Sequence, residues 1–127
     1  MARMSADPDG YNPNDIIQRL KRLLESGKSG IDYTIIPRDK NESLIETYVI
    51  SEQDRIDILK RLTVNEYDGW EYGNNTDFPK DIIHFFHYET SLIPRGIEDA
   101  KSKRIKLYIK LTWTKPSNVL IVISFHE

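Results

Sequence analysis

Side chains that can move protons and bind phosphate lie close together in the last part of the chain. Tyr108 and Lys110 belong to an alternating run that begins at Arg104, and His126 closes a second run rich in β-branched residues. Acid–base chemistry without a metal needs one group that takes a proton, another that gives one and cations for the negative charge that develops. Histidine titrates near neutrality and could be base or acid, while lysine and tyrosine could hold the phosphate or stack on a nucleobase. Tyr108, Lys110 and His126 are therefore the candidate catalytic residues.

These residues share a surface only if the two runs form a hairpin. The runs Arg104–Trp113 and Val119–Glu127 flank a short connection, Lys115–Asn118, that contains Pro, Ser and Asn. Two runs of β-formers separated by such a connection predict a β-hairpin. Because side chains alternate between faces along a strand, the register of this hairpin decides which residues lie together.

The apolar pattern favours one register. When Ile109 lies opposite Phe125 and Leu111 opposite Ile123, one face of the hairpin is wholly apolar. A slip of one residue would mix polar and apolar side chains on both faces, so we predict the first register. The other face then carries Tyr108, Lys110, Ser124 and His126.

Charged residues are divided between two stretches. Five acids and one base, Lys80, lie between Glu66 and Asp81, whereas seven bases and two acids lie between Arg95 and Lys115. The basic stretch is either a solvated surface or an anion-binding site, and both interpretations remain open at this stage. The candidate anion-binding residues are Lys103, Arg104 and Lys106 of the basic stretch and Lys80 of the acidic one.

Two aromatic residues, Tyr67 and Trp70, lie in a stretch from Val64 to Pro79 that also contains Gly and Asn. The stretch is predicted to be a loop, and a loop of this length in a small domain is functional or mobile. Its aromatic rings could stack on nucleobases or pack over the sheet edge. Tyr67 and Trp70 are therefore further candidates for RNA contact.

The composition is that of one soluble globular domain. The 127 residues are 39% hydrophobic and 30% charged, with a net charge of −2, which argues against a protein that coats nucleic acid generically. No apolar run approaches the roughly 18 residues of a membrane span, and we expect no membrane association. Because the chain has no cysteine, disulfides and thiolate metal sites are excluded, and we expect a cytoplasmic protein.

Caps and apolar periodicity predict two clear helices. Asn12 followed by Pro13 indicates the start of the first helix, and the capping box Ser51–Asp54 indicates the start of another. Residues 1–12 lack periodicity and are interpreted as a disordered arm or an expression remnant. Residues 13–127 are then expected to form a single domain.

The remaining elements complete an α+β pattern. Strands are predicted near residues 31–37 and 82–88, with a short helix near residues 39–48. Helices first and strands afterwards indicate N-terminal helices packed on one face of a small antiparallel sheet that ends in the C-terminal hairpin. His84 and His87 point to opposite faces of their strand and cannot share a metal. No nucleotide-binding loop, hydrolase-triad motif or zinc-protease motif occurs, so neither a metal nor a cofactor is expected.

The two strand motifs at residues 107–111, Leu-Tyr-Ile-Lys-Leu, and 122–127, Val-Ile-Ser-Phe-His-Glu, resemble those of MqsR-like toxins of type II toxin–antitoxin systems. These toxins belong to the barnase/RelE-like group of small ribonucleases. The resemblance extends in weaker form over residues 13–127. It implies a RelE-like fold and an endoribonuclease that cuts mRNA, on or off the ribosome, and is held inactive by a cognate antitoxin protein.

The resemblance also implies roles for single residues. The functional tyrosine of the family falls on Tyr108, and its closing lysine falls on His126, which is still a cationic or acid–base group. A family glutamine corresponds most nearly to Lys80. A family lysine after the second long helix has no counterpart, because Asp68-Gly-Trp70 occupies that region.

Two other functions remain open on the sequence. The basic hairpin face could receive an acidic segment of a protein partner in a non-catalytic binding module. Alternatively, the chain could be a relative that has kept the fold and lost cleavage, for which the missing lysine is the main support. A lone histidine on a strand, or Tyr with Lys on an exposed strand face, is also a common surface feature.

Overall fold

The computed structural model describes residues 5–37, 39–73, 81–114 and 118–127. Three α-helices and a short 3-10 turn accompany a five-stranded sheet. In chain order the elements are α1 (Pro13–Ser26), β1 (Tyr33–Ile35), α2 (Asp39–Thr47), α3 (Glu52–Arg61), the 3-10 turn (Val64–Glu66), β2 (Tyr67–Tyr72), β3 (Ile82–Leu92), β4 (Lys103–Trp113) and β5 (Leu120–His126). No helix among the described residues is long and apolar enough to cross a membrane.

The sheet is mixed, with strand order β1-β5-β4-β3-β2. The strands β2, β3, β4 and β5 form antiparallel pairs, whereas β1 pairs with β5 in parallel. The prediction of an α+β fold with a C-terminal hairpin is confirmed, but the prediction of a purely antiparallel sheet is wrong. Alternation shows which face of a strand is apolar, and it carries no information about strand direction. A parallel partner also needs a long crossover connection, which here contains α2, α3 and the strands β2 to β4.

Both predicted helix starts are confirmed at the level of their hydrogen bonds. The Asn12 side chain accepts from the Asp15 backbone N–H at 2.9 Å, and the Asp15 carboxylate accepts from the Asn12 N–H at 3.1 Å. Ser51 and Asp54 exchange the same pair of bonds at 3.0 and 2.8 Å. These bonds, chiefly the one from the Ser51 backbone N–H, hold the pKa of Asp54 below its usual value.

The hydrophobic core lies between the helices and one face of the sheet. Leu20 of α1 and Leu59 of α3 are fully buried there against alternate residues of β4, which include Leu107, Ile109 and Leu111. The apolar side of α1 therefore packs in the core. The opposite face of β4 carries exposed side chains and is available for chemistry.

The hairpin of β4 and β5 follows the predicted register over only half of its length. Ile109 pairs with Phe125 as predicted, but Leu111 pairs with Val122 rather than Ile123. A bulge adds one residue to β5 between these pairs. The shift places Leu120 and Val122, both fully buried, on the core face. The predicted Leu111–Ile123 pair is therefore wrong, because the bulge shifts the register beyond Lys110.

Part of the predicted long loop is the edge strand β2. Residues 64–66 form a 3-10 turn and residues 67–72 pair with β3, while residues 74–80 lie outside the described part of the chain. The register shifts between Tyr67 and Gly69, so two buried aromatic residues stand three positions apart rather than two or four. This bulge hid the strand from a search for alternation. The strand predicted near residues 82–88 is likewise longer, because β3 extends to Leu92.

The segment before α1 packs on the sheet, contrary to the prediction of a disordered arm for its described part, residues 5–12. The Trp70 indole N–H donates to the Ser5 carbonyl at 3.0 Å, and Asp7 is buried. The Asp7 carboxylate accepts from the backbone N–H of Tyr11 at 2.9 Å, which closes the segment into a compact turn. The structured unit therefore begins before Pro13.

Candidate active site

Three side chains form a row across the open face of the sheet. His87 of β3 is the direct partner of Tyr108 on β4, and Tyr108 is the direct partner of His126 on β5. Neighbouring strands are about 4.8 Å apart, so the two histidine backbones are about 10 Å apart with Tyr108 between them. Tyr108 is 47% exposed, and its ring centroid is 6.1 Å from that of His126. We call His87, Tyr108 and His126 the polar row.

Two lysines flank the centre of the polar row. Lys106 and Lys110 precede and follow Tyr108 by two positions and so share its face. The Lys106 ammonium lies 5.6 Å from the centroid of the Tyr108 ring, and the Lys110 ammonium lies 5.5 Å from that of Phe85. Both positive charges are therefore held near aromatic surfaces beside the polar row, where an anion would be attracted.

A groove of about 410 Å³ lies on one side of Tyr108, and we call it the site groove. Its side-chain lining comes from α2, β2, β3, β4 and β5: Lys40, Asp68, Glu71, Phe85, Tyr108, Lys110 and His126. A neighbouring groove of about 390 Å³ runs between α2 and the end of β5, and Lys40 and His126 line it too. Lys40 thus adds a third cation beside His126, from an element that the sequence did not connect with the site.

On the other side of the polar row lies a concavity of about 430 Å³, which we call the β3–β4 concavity. His87, Arg104 and Lys106 line it together with Glu66, Tyr88 and Glu89. Arg104 makes an ion pair with Glu89 at 3.6 Å, with both side chains exposed. The polar row therefore separates two concave surfaces, each with basic residues.

The two histidines of the polar row are oriented by different oxygen atoms. His126 Nδ1 lies 2.9 Å from the main-chain oxygen of Glu127, which only accepts. Nδ1 of His126 therefore carries a proton, and in the neutral ring Nε2 is the basic nitrogen. His87 Nδ1 lies 2.7 Å from the Asp68 carboxylate. Asp68 accepts a hydrogen bond from Nδ1–H of His87 and orients that ring.

Asn41 of α2 fixes the strand that carries His126. Beyond the short β1, the Asn41 amide accepts from the Phe125 N–H at 2.7 Å and donates to the Ile123 carbonyl at 3.3 Å. It also donates to the Ile36 carbonyl at 2.6 Å. The side chain is 1% exposed. Asn41 therefore replaces a neighbouring strand at the end of β5 and sets the position of His126.

The structure brings four of the sequence-predicted site residues together. Tyr108, Lys110, His126 and Lys106 share one face of the sheet. Arg104 shares this face but lies further along β4, in the β3–β4 concavity. Ser124, also predicted there, is buried at 3% exposure beside Lys110.

Two other predicted contacts are wrong, and one is outside the described residues. Tyr67 and Trp70 are buried at 3% and 4% exposure, because β2 turns both rings inward; neither can stack on RNA. The contact of Lys103 with RNA stays a prediction: this exposed residue begins β4 and interacts with the Tyr48 hydroxyl. Burial and the nearby Glu127 carboxylate raise the pKa of Tyr48. Lys80 lies outside the described residues.

His84 has a structural environment on the opposite face of β3. Its Nδ1 is 2.9 Å from the Tyr67 hydroxyl, and its Nε2 is 3.8 Å from the Asp7 carboxylate. Burial, with the nearby Arg19 guanidinium, lowers the pKa of His84 to about 3. Nδ1 of the neutral ring accepts a hydrogen bond from the Tyr67 hydroxyl. Burial raises the pKa of Tyr67, so this hydroxyl keeps its proton. His84 therefore ties the N-terminal segment to the sheet.

Sequence reasoning missed His87, Asp68, Lys40 and Asn41. The signal for His87 was present, since alternation separates it from His84. To name His87 as a site residue, one must know the register of β3 against β4, because that register pairs His87 with Tyr108. Asp68 reaches His87 from a bulge, and Lys40 and Asn41 reach β5 from a helix, so neither relation follows a sequence period.

A scan of the chain against protein-family models and searches of curated proteins and solved structures find no significant match.

Proposed function

We propose that the protein is an endoribonuclease that cleaves single-stranded RNA by metal-independent acid–base chemistry and acts as the toxin of a toxin–antitoxin pair. The observation that supports cleavage is the polar row with Lys106 and Lys110 at its centre. A phosphodiester seated over Tyr108 would have ammonium groups on both sides and the His126 ring at one end. These are the groups that a metal-free transfer to the 2′-oxygen requires.

The open shape of the surface favours a single strand. Two concave surfaces meet at Tyr108, so a flexible chain could cross the polar row with one nucleotide on each side. Phe85 and Tyr108 line the site groove and offer ring surface on which a splayed base can stack. The 2′-OH is the nucleophile in this chemistry, so DNA of the same sequence should bind and remain intact.

The toxin role and the partner rest on the resemblance of the strand motifs to MqsR-like toxins. That resemblance suggests mRNA as the substrate and a cognate antitoxin as the inhibitor. The cationic groups around the polar row, Lys40, Lys106 and Lys110, offer an acidic antitoxin segment a surface that overlaps the substrate site.

Cleavage is tested with purified protein and total RNA in the presence of EDTA. We expect wild-type protein to cut RNA and His126→Asn to reduce the rate by about 100-fold or more. Lys110→Ala should weaken cleavage, whereas Lys28→Ala, which removes an exposed lysine far along the chain, should leave it unchanged. Intact RNA with the wild-type protein, alone and with ribosomes, would contradict the proposal.

The toxin role is tested by growth. Expression of the wild-type chain should arrest growth, and His126→Asn should relieve the arrest at equal protein level. Equal effects of both forms on growth would contradict a toxin that acts by cleavage. Salt-sensitive binding of an acidic peptide without RNA cleavage would instead identify a binding module.

A further inference from the structure

His87 and Asp68 form a hydrogen-bonded pair on the open face that the proposed reaction has not yet used. The His87 ring is about one-third exposed, at 32%, and Asp68 is 42% exposed. His87 lines the β3–β4 concavity, whereas Asp68 lines the site groove. The pair therefore stands at the boundary between the two concave surfaces, opposite His126 across Tyr108.

We propose that His87 is the general acid of the reaction and His126 the general base, with Asp68 as a positioning residue for His87. This assignment rests on the proposed ribonuclease function and deepens it.

Both rings are held through Nδ1. The main-chain oxygen of Glu127 accepts a hydrogen bond from Nδ1–H of His126. The Asp68 carboxylate accepts one from Nδ1–H of His87 and orients this ring on the other side of Tyr108. In each ring Nε2 is then the atom that can exchange a proton with the substrate.

Charged groups of both signs surround each ring. Around His87 lie Asp68 of β2, Glu66 and Glu89, with Arg104 and Lys106 of β4 as the cations. The grooves beside His126 are lined by Lys40 of α2 and Lys110 of β4, with Glu127, Asp68 and Glu71 as the anions.

The reaction balances with these two groups alone. His126 Nε2 takes the proton of the 2′-OH while the 2′-oxygen forms a bond to phosphorus. The bond from phosphorus to the 5′-oxygen breaks, and that oxygen takes the Nε2 proton of His87. The products are a 2′,3′-cyclic phosphate and a 5′-hydroxyl end, and exchange of protons with water restores both rings. The nucleotide before the cut lies in the site groove and the one after it in the β3–β4 concavity.

The leaving group tests the assignment. An oligoribonucleotide cut by the wild type is prepared in two forms, with oxygen or with sulfur at the 5′-bridging position of the scissile bond. A thiolate leaves without protonation, so loss of the general acid matters only for the oxygen form. We expect His87→Asn to cut the oxygen form about 100-fold or more slowly than wild type and the sulfur form within about threefold. His126→Asn should be slow on both forms.

The pH profile separates proton transfer from a structural role. The rate of the wild type on the oxygen form should have a bell-shaped pH profile, because one group must take a proton and another must give one. His87→Asn should remove the fall of the rate at high pH, and Asp68→Asn should lower kcat with little change in KM. Thermal unfolding of both variants, with Lys28→Ala as a matched surface control, establishes that they are folded.

The outcomes separate the two proposals. A wild-type protein that cuts neither form overturns the ribonuclease function and, with it, the assignment. A wild type that cuts, together with a folded His87→Asn that matches it on the oxygen form or is equally slow on both forms, overturns the assignment of the acid alone.

Discussion

Strand β3 carries two histidines, His84 and His87, that differ in their exposure to water. His84 is buried, whereas the His87 ring is about one-third exposed. His84 is enclosed by Tyr67, Trp113 and the N-terminal segment. His87 lies on the open face against Asp68. A neutral ring that holds the fold together and a ring that can donate a proton are thus built on the same strand.

The pKa of about 3 for His84 predicts a loss of stability in mild acid. The unfolded chain takes up a proton at this histidine near its ordinary value of 6.5 and the folded protein does not, so the unfolded state binds more protons between pH 6.5 and 3. Stability from this group is present above pH 6.5 and is lost as the pH falls. We expect the free energy of unfolding to drop by about 2 kcal/mol between pH 7 and pH 5 from His84 alone.

Urea denaturation at several pH values measures this effect. His84→Asn should be less stable at pH 7 and should lose about 2 kcal/mol less than wild type between pH 7 and pH 5. Parallel curves for the two proteins would contradict the assignment of a neutral buried ring.

Tyr108 is expected to act through its hydroxyl as well as its ring. Tyr108→Phe keeps the stacking surface and removes a donor to the phosphate, which should lower kcat about 10-fold to 100-fold with little change in KM. Tyr72→Phe, on an exposed tyrosine outside the site groove, is the matched control. A Tyr108→Phe rate equal to that of the control in a single-turnover RNA assay would restrict Tyr108 to stacking.

At the level of elements, the end of β5 depends on a helix rather than on a neighbouring strand. β1 pairs only with Leu120, Ile121 and Val122, and the backbone beyond them is bonded by Asn41. This is a compact way to hold a strand end, because one amide supplies both a donor and an acceptor.

Removal of the Asn41 amide should be costly. Asn41→Ala leaves the Phe125 N–H and the Ile36 and Ile123 carbonyls without this partner in a buried place, and we expect about 2 to 4 kcal/mol lower unfolding free energy. Asn14→Ala, on the exposed side of α1, should change stability by less than about 0.5 kcal/mol. The comparison is made by chemical denaturation, and equal midpoints would show that Asn41 does not support β5.

The elements that the sequence predicted well are those with local signals. Capping boxes mark α1 and α3, and alternation marks β4. The missed features depend on contacts between distant residues. The bulges near Asp68 and Ile123 add a residue that interrupts the period of two, and each was chosen by burial against other strands. The Asp68–His87 bond follows from one of these bulges, so this half of the candidate site could not be seen without the fold.

For the whole molecule, the net charge of −2 conceals a local cluster of positive charge. Lys40, Lys106 and Lys110 come from α2 and β4 and meet around Tyr108. Acidic residues, which include Asp68 and Glu71 of the same groove, outweigh these lysines in the net charge, and the net charge says nothing about a local site.

This cluster predicts how RNA affinity depends on salt. Each phosphate contact to single-stranded RNA contributes about 0.7 to the slope of log affinity against log salt concentration. Lys106→Ala and Lys110→Ala should each lower that slope by about 0.7, and Lys28→Ala should not. Fluorescence anisotropy with a 2′-O-methyl oligonucleotide, which cannot be cut by 2′-oxygen attack, provides the measurement; unchanged slopes would place the phosphates elsewhere.

The position of β5 in the sheet links the site to the order of events in folding. Its two neighbours are β1 and β4, and Tyr33 pairs with Leu120 across most of the chain. Such distant pairing is slow, because a large loop must close before contacts compensate for it. A chain in which α1, α3 and the strands β2 to β4 have formed already carries His87 and Tyr108 but still lacks His126. The proposed cleavage activity should therefore return only with the slowest phase of refolding, when β5 joins the sheet.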